Sequence, residues 1–173
     1  MISSSDILKA SILIVDDQEA NVLLLERILR GAGYTSITST RDPHEVCELH
    51  RKNRYALILL DLQMPGLDGF QVMEGLKEIE SDGYLPVLVI TAQPDHKLRA
   101  LKAGAKDFVS KPFDLAEVLM RVYNLLEVRL LHLETKRLYD RVAAEQTVSE
   151  RLLLNVLPPA IAERLKARPD VIA

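Results

Sequence analysis

Five side chains with catalytic or ligand-binding chemistry follow directly after short apolar runs of the sequence. They are carboxylates after the first and third runs, a hydroxyl after the fourth and an amine after the fifth: Asp16, Asp17, Asp61, Thr91 and Lys111. If the runs are strands of a parallel sheet, these side chains meet at one edge, because such sheets bind ligands at the carboxyl ends of their strands. Any one of them alone could be a helix cap or a solvated polar side chain. The combination is better explained by a site.

Three carboxylates at one crevice repel one another and raise their proton affinities unless a cation neutralises them. An all-oxygen ligand set favours Mg²⁺, which combines few carboxylates with phosphate oxygens. Zinc is disfavoured, since the chain has one cysteine and four scattered histidines. In a coherent arrangement Asp61 is the nucleophile, Asp16 and Asp17 hold the metal, and Lys111 and Thr91 face the charge of the transferred group. The residues therefore predict phosphoryl transfer to an aspartate.

Apolar runs and amphipathic stretches alternate through the first part of the chain, which is typical of βα units that build a parallel sheet. The predicted strands are 11–15, 36–38, 56–60, 86–90 and 107–109. Helices are predicted at 21–32, 43–51, 69–80 and 95–103. The third and fourth strands are apolar almost throughout, so we expect them in the middle of the sheet with helices on both faces. The predicted fold class is α/β, a (βα)5 doubly wound parallel sheet.

The composition excludes several other classes of protein. The 173 residues are 48% hydrophobic and 27% charged, which is close to the globular average and argues against disordered or fibrous structure. A net charge of -3 gives no general attraction to nucleic acid or to an anionic membrane. The single cysteine, Cys47, is expected to be a packed side chain and fits a reducing, cytoplasmic location. No apolar run approaches the ~20 residues that span a bilayer, and the N-terminus lacks the pattern of a secretion signal.

The segment from 115 to about 157 contains neither glycine nor proline and is predicted to be one long helix. A heptad frame places apolar side chains along one seam of this helix: Val128, Leu131, Leu138, Val142 and Leu152. Thr135, Glu145 and Ser149 interrupt the seam, so we expect a marginal coiled coil that can change register. The seam predicts a homodimer through this helix.

Four motifs resemble those of the receiver domain of two-component response regulators. They are Ile14-Val15-Asp16-Asp17, Leu60-Asp61-Leu62-Gln63-Met64-Pro65-Gly66-Leu67-Asp68-Gly69, Ile90-Thr91-Ala92 and Lys111-Pro112-Phe113. They occur in the order and at the spacings of that family, and the resemblance covers residues 10–126. It implies a flavodoxin-like fold with strand order 2-1-3-4-5, which a histidine kinase or a phosphotransfer protein phosphorylates.

The resemblance implies a role for each residue of the site. Asp61 is implied as the phosphoacceptor, and Asp16, Asp17 and Asp61, together with the backbone carbonyl of Gln63, as the Mg²⁺ ligands. Lys111 is implied as the base that contacts the phosphate.

Two further residues are implied as the conformational switch of the family. Thr91 is implied as the switch hydroxyl and Phe108 as the switch aromatic, although Phe108 could equally be a core side chain of the fifth strand. The Lys111-Pro112 peptide bond is expected to be cis by resemblance.

Residues 151–166 resemble the signalling helix and transducer element that precede class III adenylate and guanylate cyclase domains. An amphipathic helix stopped by Pro158-Pro159 explains the same pattern without a cyclase. We predict a receiver at 1–126, a coiled-coil signalling helix at 127–157 and a transducer element at 158–173, leading to an output domain that this chain lacks. The chain is therefore expected to be regulatory and not itself an enzyme with a product.

Other functions are compatible with parts of the pattern. A diguanylate cyclase or a serine/threonine phosphatase could follow a similar helix, and a dimeric scaffold without phosphotransfer would not need Mg²⁺. A haloacid-dehalogenase-type phosphatase also uses a nucleophilic aspartate, but its signature lies at the end of the first strand, whereas Asp61 follows the third.

Overall fold

Five parallel strands form one sheet with helices on both faces. The computed structural model describes residues 2–80, 84–93 and 95–156. The burial and contacts of side chains are described up to residue 147. The strands are β1 (Ile12–Val15), β2 (Ile37–Thr40), β3 (Leu57–Asp61), β4 (Val87–Thr91) and β5 (Asp107–Ser110). The helices are α1 (Ser4–Lys9), α2 (Glu19–Gly31), α3 (Val46–Asn53), α4 (Gly69–Ile79), α5 (Asp95–Lys102) and α6 (Leu115–Val156), and a 3₁₀ turn, Pro43–Glu45, precedes α3.

The strand order is β2-β1-β3-β4-β5, and every neighbouring pair is parallel. This arrangement confirms the predicted α/β class and the 2-1-3-4-5 order. Helix α1 was not predicted from the sequence, and it begins with a capping box between Ser3 and Asp6.

The central strands separate two apolar layers. Leu57 and Leu59 of β3 face the layer that contains α2 and α6, whereas Ile58 and Leu60 face the layer that contains α3, α4 and α5. Since side chains alternate along a strand, a strand covered on both faces must be apolar at every position. This alternation explains why the run at 56–60 has no polar residue before Asp61.

Helix α6 is continuous from Leu115 to Val156. Val118, Val122 and Leu126 lie on one face at helical spacing and are fully buried against the sheet. The chain divides into two structural units after Leu131, so α6 belongs to both. The domain boundaries at 126 and 157 and the coiled coil remain predictions.

The predicted seam residues of α6 are exposed where they are described. Val128, Leu131, Leu138 and Val142 have between 46% and 59% of their surface exposed. The side chain of Leu152 and the whole predicted transducer element at 158–173 lie outside the described residues. Among the described residues, no helix is long and apolar enough to cross a membrane.

The start of α4 is fixed tightly against the end of β3. Asp68 accepts a hydrogen bond from Gln71 N–H, and Gln71 accepts one from Asp68 N–H, which forms a capping box. Directly after this cap, a Cβ on Gly69 would lie 2.7 Å from the Leu62 Cα and 2.9 Å from the Asp61 carbonyl oxygen. Only glycine allows this approach without a backbone shift next to Asp61.

We therefore predict that Gly69→Ala destabilises the protein by about 1–3 kcal/mol, because the added methyl group meets backbone that cannot move aside freely. The measurement is the free energy of unfolding from urea titration. Gly31→Ala is the matched control, since nothing lies within 4 Å of its Cβ position in α2, and it should be neutral or stabilising by up to about 1 kcal/mol. Equal effects of the two substitutions would contradict the packing argument.

Candidate functional site

Three carboxylates converge at the carboxyl edge of the sheet. Asp16 and Asp17 follow β1 and Asp61 ends β3, and these strands are hydrogen-bonded neighbours with Val15 opposite Leu60. One carboxylate oxygen from each residue lies within 4.8 Å of the other two. Asp16 and Asp61 are buried and Asp17 is half-buried. The structure thus brings together the three residues predicted as acidic metal ligands.

Main-chain hydrogen bonds orient the two buried carboxylates. Gln18 N–H donates to Asp16 Oδ1 at 2.9 Å, and Gln63 N–H donates to Asp61 Oδ1 at 3.2 Å. Both donors lie two residues after their acceptor, so each loop folds back on the strand it leaves. In the second loop Gly66 has a φ of +88°, a conformation that favours glycine. The loop therefore holds Gln63 beside Asp61, where its backbone was predicted to contribute.

Lys111 places a positive charge between the buried carboxylates. Its Nζ lies 3.4 Å from Asp16 Oδ2 and 3.4 Å from Asp61 Oδ1. The backbone N–H of Lys111 donates to the Thr91 carbonyl at 2.9 Å, which joins the ends of β4 and β5. The Lys111-Pro112 peptide bond is cis, as expected. Lys111 follows the edge strand β5, which β4 separates from β3. Its ammonium group therefore reaches the site from that edge and partly balances the negative charge of the carboxylates.

Thr91 is buried at the end of β4, and its hydroxyl is engaged with the following loop. The Oγ1 accepts a hydrogen bond from Gln93 N–H at 3.1 Å and lies 3.5 Å from the Gln93 carbonyl oxygen. The hydroxyl is thus held by main chain in this structure, close to the sheet edge that carries the carboxylates.

Phe108 is half-buried in β5 and borders the apolar layer of α3, α4 and α5. Lys97 Nζ lies 4.8 Å from the centre of its ring, and Arg121 Cζ lies 5.8 Å from it. Arg121 in turn binds Asp107 at 2.6 Å. Neither cation is predictable from the sequence as a neighbour of Phe108, since Lys97 and Arg121 lie on different helices and resemble ordinary surface charges.

The electrostatics of the cluster act most strongly on Asp61. Its pKa is raised to about 6, mainly because the side chain is buried and secondarily because the charge of Asp16 is close. The Gln63 N–H and the Lys111 ammonium group oppose this rise. A divalent cation among these oxygens would relieve the same repulsion, so the all-oxygen donor set and its crowding both fit Mg²⁺.

The model of the response regulator receiver domain family matches residues 12–123. The chain therefore belongs to this family, and it is a regulatory domain of phosphorylation-dependent two-component signalling. Family membership together with the acidic cluster confirms the Mg²⁺ prediction.

Individual relatives agree with this assignment. The chain is 37% identical to the response regulator PleD of Caulobacter vibrioides over 126 residues, which are 72% of this chain and 28% of PleD. It is 39% identical to the transcriptional regulatory protein PrrA of Mycobacterium tuberculosis over 120 residues, which are 68% of this chain and 50% of PrrA. The chain thus spans half or less of these relatives.

A solved structure also matches the fold. The receiver domain of the sensor histidine kinase PA1611 from Pseudomonas aeruginosa, with a magnesium ion coordinated in its active site cleft, superposes with a TM-score of 0.63. The match has 28% identity and covers 69% of this chain and 98% of that domain.

The raised pKa of Asp61 predicts a pH-dependent cost to folding in the absence of Mg²⁺. Between about pH 4 and pH 6 the folded protein keeps a proton on Asp61 that the unfolded chain has lost, so stability falls as pH rises through this window. In EDTA, Asp61→Asn should be more stable than the wild type by up to about 3 kcal/mol at pH 7, and by almost nothing at about pH 4. Urea unfolding of both proteins across this range measures the difference. A difference that does not change with pH would contradict the electrostatic account.

Proposed function

We propose that this chain accepts a phosphoryl group on Asp61 from a histidine kinase or a phosphotransfer protein and passes the change to an output through α6. The observation that carries the proposal is the position of Asp61, which is buried at the sheet edge with carboxylate oxygens of Asp16 and Asp17 within 4.8 Å and Lys111 Nζ 3.4 Å from its Oδ1. Burial at such a position disfavours the ionised form of a carboxyl group unless a cation is bound beside it. With a cation bound, the ionised carboxylate can act as a nucleophile towards a phosphoryl group.

Each residue of the cluster has a proposed role, and Asp61 has two, as a metal ligand and as the nucleophile. Asp16, Asp17, Asp61 and the Gln63 carbonyl would hold Mg²⁺, which would supply positive charge against the oxygens of the phosphoryl group. Lys111 binds one of those oxygens and gives up part of its contact with Asp61 as the negative charge moves outward. The protein itself is a regulatory domain that catalyses its own modification.

The transfer step assigns the nucleophile to Asp61 Oδ2, because Oδ1 is already bound by Gln63 N–H and contacted by Lys111. A new bond forms between Oδ2 and phosphorus as the bond between phosphorus and the donor imidazole nitrogen breaks. The imidazole, which carries a proton on its other ring nitrogen in the phosphorylated donor, keeps the electron pair and leaves as a neutral ring. Only the ionised carboxylate can attack, so Mg²⁺ binding and phosphorylation should both weaken as Asp61 becomes protonated.

Thr91 and Phe108 are the proposed switch. The Thr91 hydroxyl is held by the main chain of Gln93 and would exchange that contact for a phosphoryl oxygen. Phe108, which is half-buried between Lys97 and Arg121, would then turn inward behind it and change the surface that α5, β5 and α6 share. Either side chain on its own has an ordinary packing role. Phe108 lies opposite Val89 on the neighbouring strand, two register positions from Thr91 and so on the same face of the sheet, which supports the coupled role.

The proposed transmitting element is a homodimer through α6. Val128, Leu131, Leu138 and Val142 follow heptad spacing and are about half exposed in one copy of the chain. Exposed apolar side chains at this spacing are what a second copy of the same helix covers in a coiled coil. Arg141, which is exposed, is an example of the charged residues beside the seam.

The proposed output is a class III nucleotide cyclase, supported by the resemblance of residues 151–166 to the element that precedes such domains. A diguanylate cyclase or a serine/threonine phosphatase is the alternative output, and a stand-alone dimeric scaffold is the alternative without one. The proposed cytoplasmic location rests on the single cysteine, whose thiol is half-buried with its pKa raised by burial. No contact with nucleic acid or membrane is part of the proposal.

Asp61→Asn should abolish acyl-phosphate formation when the full chain is incubated with Mg²⁺ and a small acyl-phosphate donor, because the amide cannot act as the nucleophile. The measurement is the mass of the intact protein. Asp68→Asn is the matched control, since this exposed carboxylate caps α4 outside the cluster, and it should be labelled like the wild type. Full labelling of Asp61→Asn would overturn the site assignment.

Charges placed in the seam should dissociate the dimer, because lysines at paired apolar positions repel each other across a coiled coil. We predict that Leu138→Lys/Val142→Lys is a monomer in sedimentation equilibrium at micromolar concentration, whereas the wild type is a dimer. Ala143→Lys/Ala144→Lys is the control, since it adds the same charge at exposed positions outside the seam and should leave the dimer intact. A monomeric wild type would contradict the coiled-coil proposal.

A further inference from the structure

A second group of ionisable side chains is buried at the edge of the sheet opposite to the carboxylate cluster. His50 lies in the last turn of α3, Glu80 directly follows α4, and Arg129 lies on α6. Because α3 and α4 each end where the chain turns back to enter the next parallel strand, their C-terminal ends lie at the amino edge of the sheet. Nothing in the proposed phosphotransfer uses these residues.

Hydrogen bonds connect the three side chains in a row. His50 is fully buried, and its Nε2 lies 2.5 Å from Glu80 Oε1. Tyr55 N–H donates to His50 Nδ1 at 3.1 Å, so the neutral ring carries its proton on Nε2 and donates it to Glu80. The other oxygen of Glu80, Oε2, accepts from Arg129 Nη2 at 3.4 Å. Glu80 therefore joins α3 to α6 through both of its oxygens.

Arg129 is held by few other contacts, although it is 5% exposed. Its guanidinium group lies over the ring of Tyr84, with Cζ 4.7 Å from the ring centre. Its Nε and Nη1 have no hydrogen-bond partner among the described residues. The charge of Arg129 is thus compensated chiefly by Glu80, and breaking this pair would leave an uncompensated buried charge.

A second arginine borders the cluster from the end of α3. Arg54 Nη1 donates to the Ile79 carbonyl at 3.0 Å and lies 3.9 Å from Glu80 Oε1. Arg54 is more than half exposed, so its charge is screened by solvent and it cannot replace Arg129. Glu80 consequently faces one buried cation and one exposed cation.

The position of Arg129 along α6 gives the cluster its significance. The chain divides into its two structural units after Leu131, and Arg129 is two residues before this point. Leu126, which is fully buried, anchors the same stretch of helix by apolar packing, whereas Val128 and Leu131 are exposed. Arg129 is therefore a buried polar anchor of the receiver part of α6 just before this part ends.

We propose that His50, Glu80 and Arg129 form a clamp that docks the last receiver turn of α6 onto the ends of α3 and α4, and that opening this clamp releases the turn as a local unit. The existence of the clamp does not depend on the proposed phosphorylation of Asp61. Its importance for signalling rests on the proposed function, in which α6 transmits the change. His50, through Glu80, acts as a positioning residue for Arg129.

Amide hydrogen exchange on the full chain, read by mass spectrometry, tests the clamp. Arg129→Met should speed exchange by about tenfold or more at 124–131 in α6 and at 46–55 in α3, while the amides of β1 and β3 keep the wild-type rate. Arg141→Met is the matched control on the same helix, because its ion pair is exposed, and it should leave both segments unchanged. No change in Arg129→Met, or an equal increase across the whole receiver, would overturn the proposal.

A double variant keeps the test decisive if Arg129→Met alone does not fold. Glu80→Gln/Arg129→Met removes both charges, so no uncompensated charge is buried and this variant should fold. Its exchange should still be faster than that of the wild type at 124–131 and at 46–55, while the amides of β1 and β3 keep the wild-type rate. Wild-type exchange at 124–131, or an equal increase across the whole receiver, would contradict the clamp. Acyl-phosphate labelling of Asp61 should be retained in this double variant. If the wild type is not labelled, the proposed function fails, and the exchange result still decides the clamp.

Discussion

The burial of two neighbouring carboxylates at the ends of β1 and β3 is the constraint on which the rest of the structure depends. Two adjacent parallel strands bring Asp16 and Asp61 together, and burial removes the water that would screen them. Lys111 partly balances the pair from β5, yet the pKa of Asp61 remains raised. The site is therefore built at a cost in stability that Mg²⁺ relieves, as expected where function and folding compete for the same residues.

The two edges of the sheet have complementary roles in this account. The carboxyl edge holds the cluster of Asp16, Asp17 and Asp61 that contains the proposed phosphoacceptor, and α6 begins a few residues after Lys111 and runs back along the sheet. Near the amino edge, Arg129 joins this same helix to Glu80 and so to α3 and α4. The helix is thus held at both ends of its receiver part, by Val118 and its apolar neighbours near one edge and by a buried ion pair near the other.

The sequence predicted the site more completely than the features around it, for a physical reason. Asp61 and Thr91 end apolar strands, so the topology of a parallel sheet determines where they meet. By contrast, His50 and Glu80 are 30 positions apart, and Glu80 and Arg129 are 49 apart. Each reads as an ordinary surface charge, and only the packing of three helices makes them a cluster. Helix α1 has a capping box that can be recognised in the sequence, but it is only six residues long. A segment of this length has too little hydrophobic periodicity to predict a helix.

The most direct test of the central claim is the titration of the Asp61 carboxyl carbon by NMR in the full chain, with and without Mg²⁺. Without Mg²⁺ the account predicts a midpoint at about pH 6, and saturating Mg²⁺ should move it well below that value because the cation stabilises the ionised form. A midpoint near the ordinary value of about 4 in the absence of Mg²⁺, or one that Mg²⁺ does not move, would contradict the account.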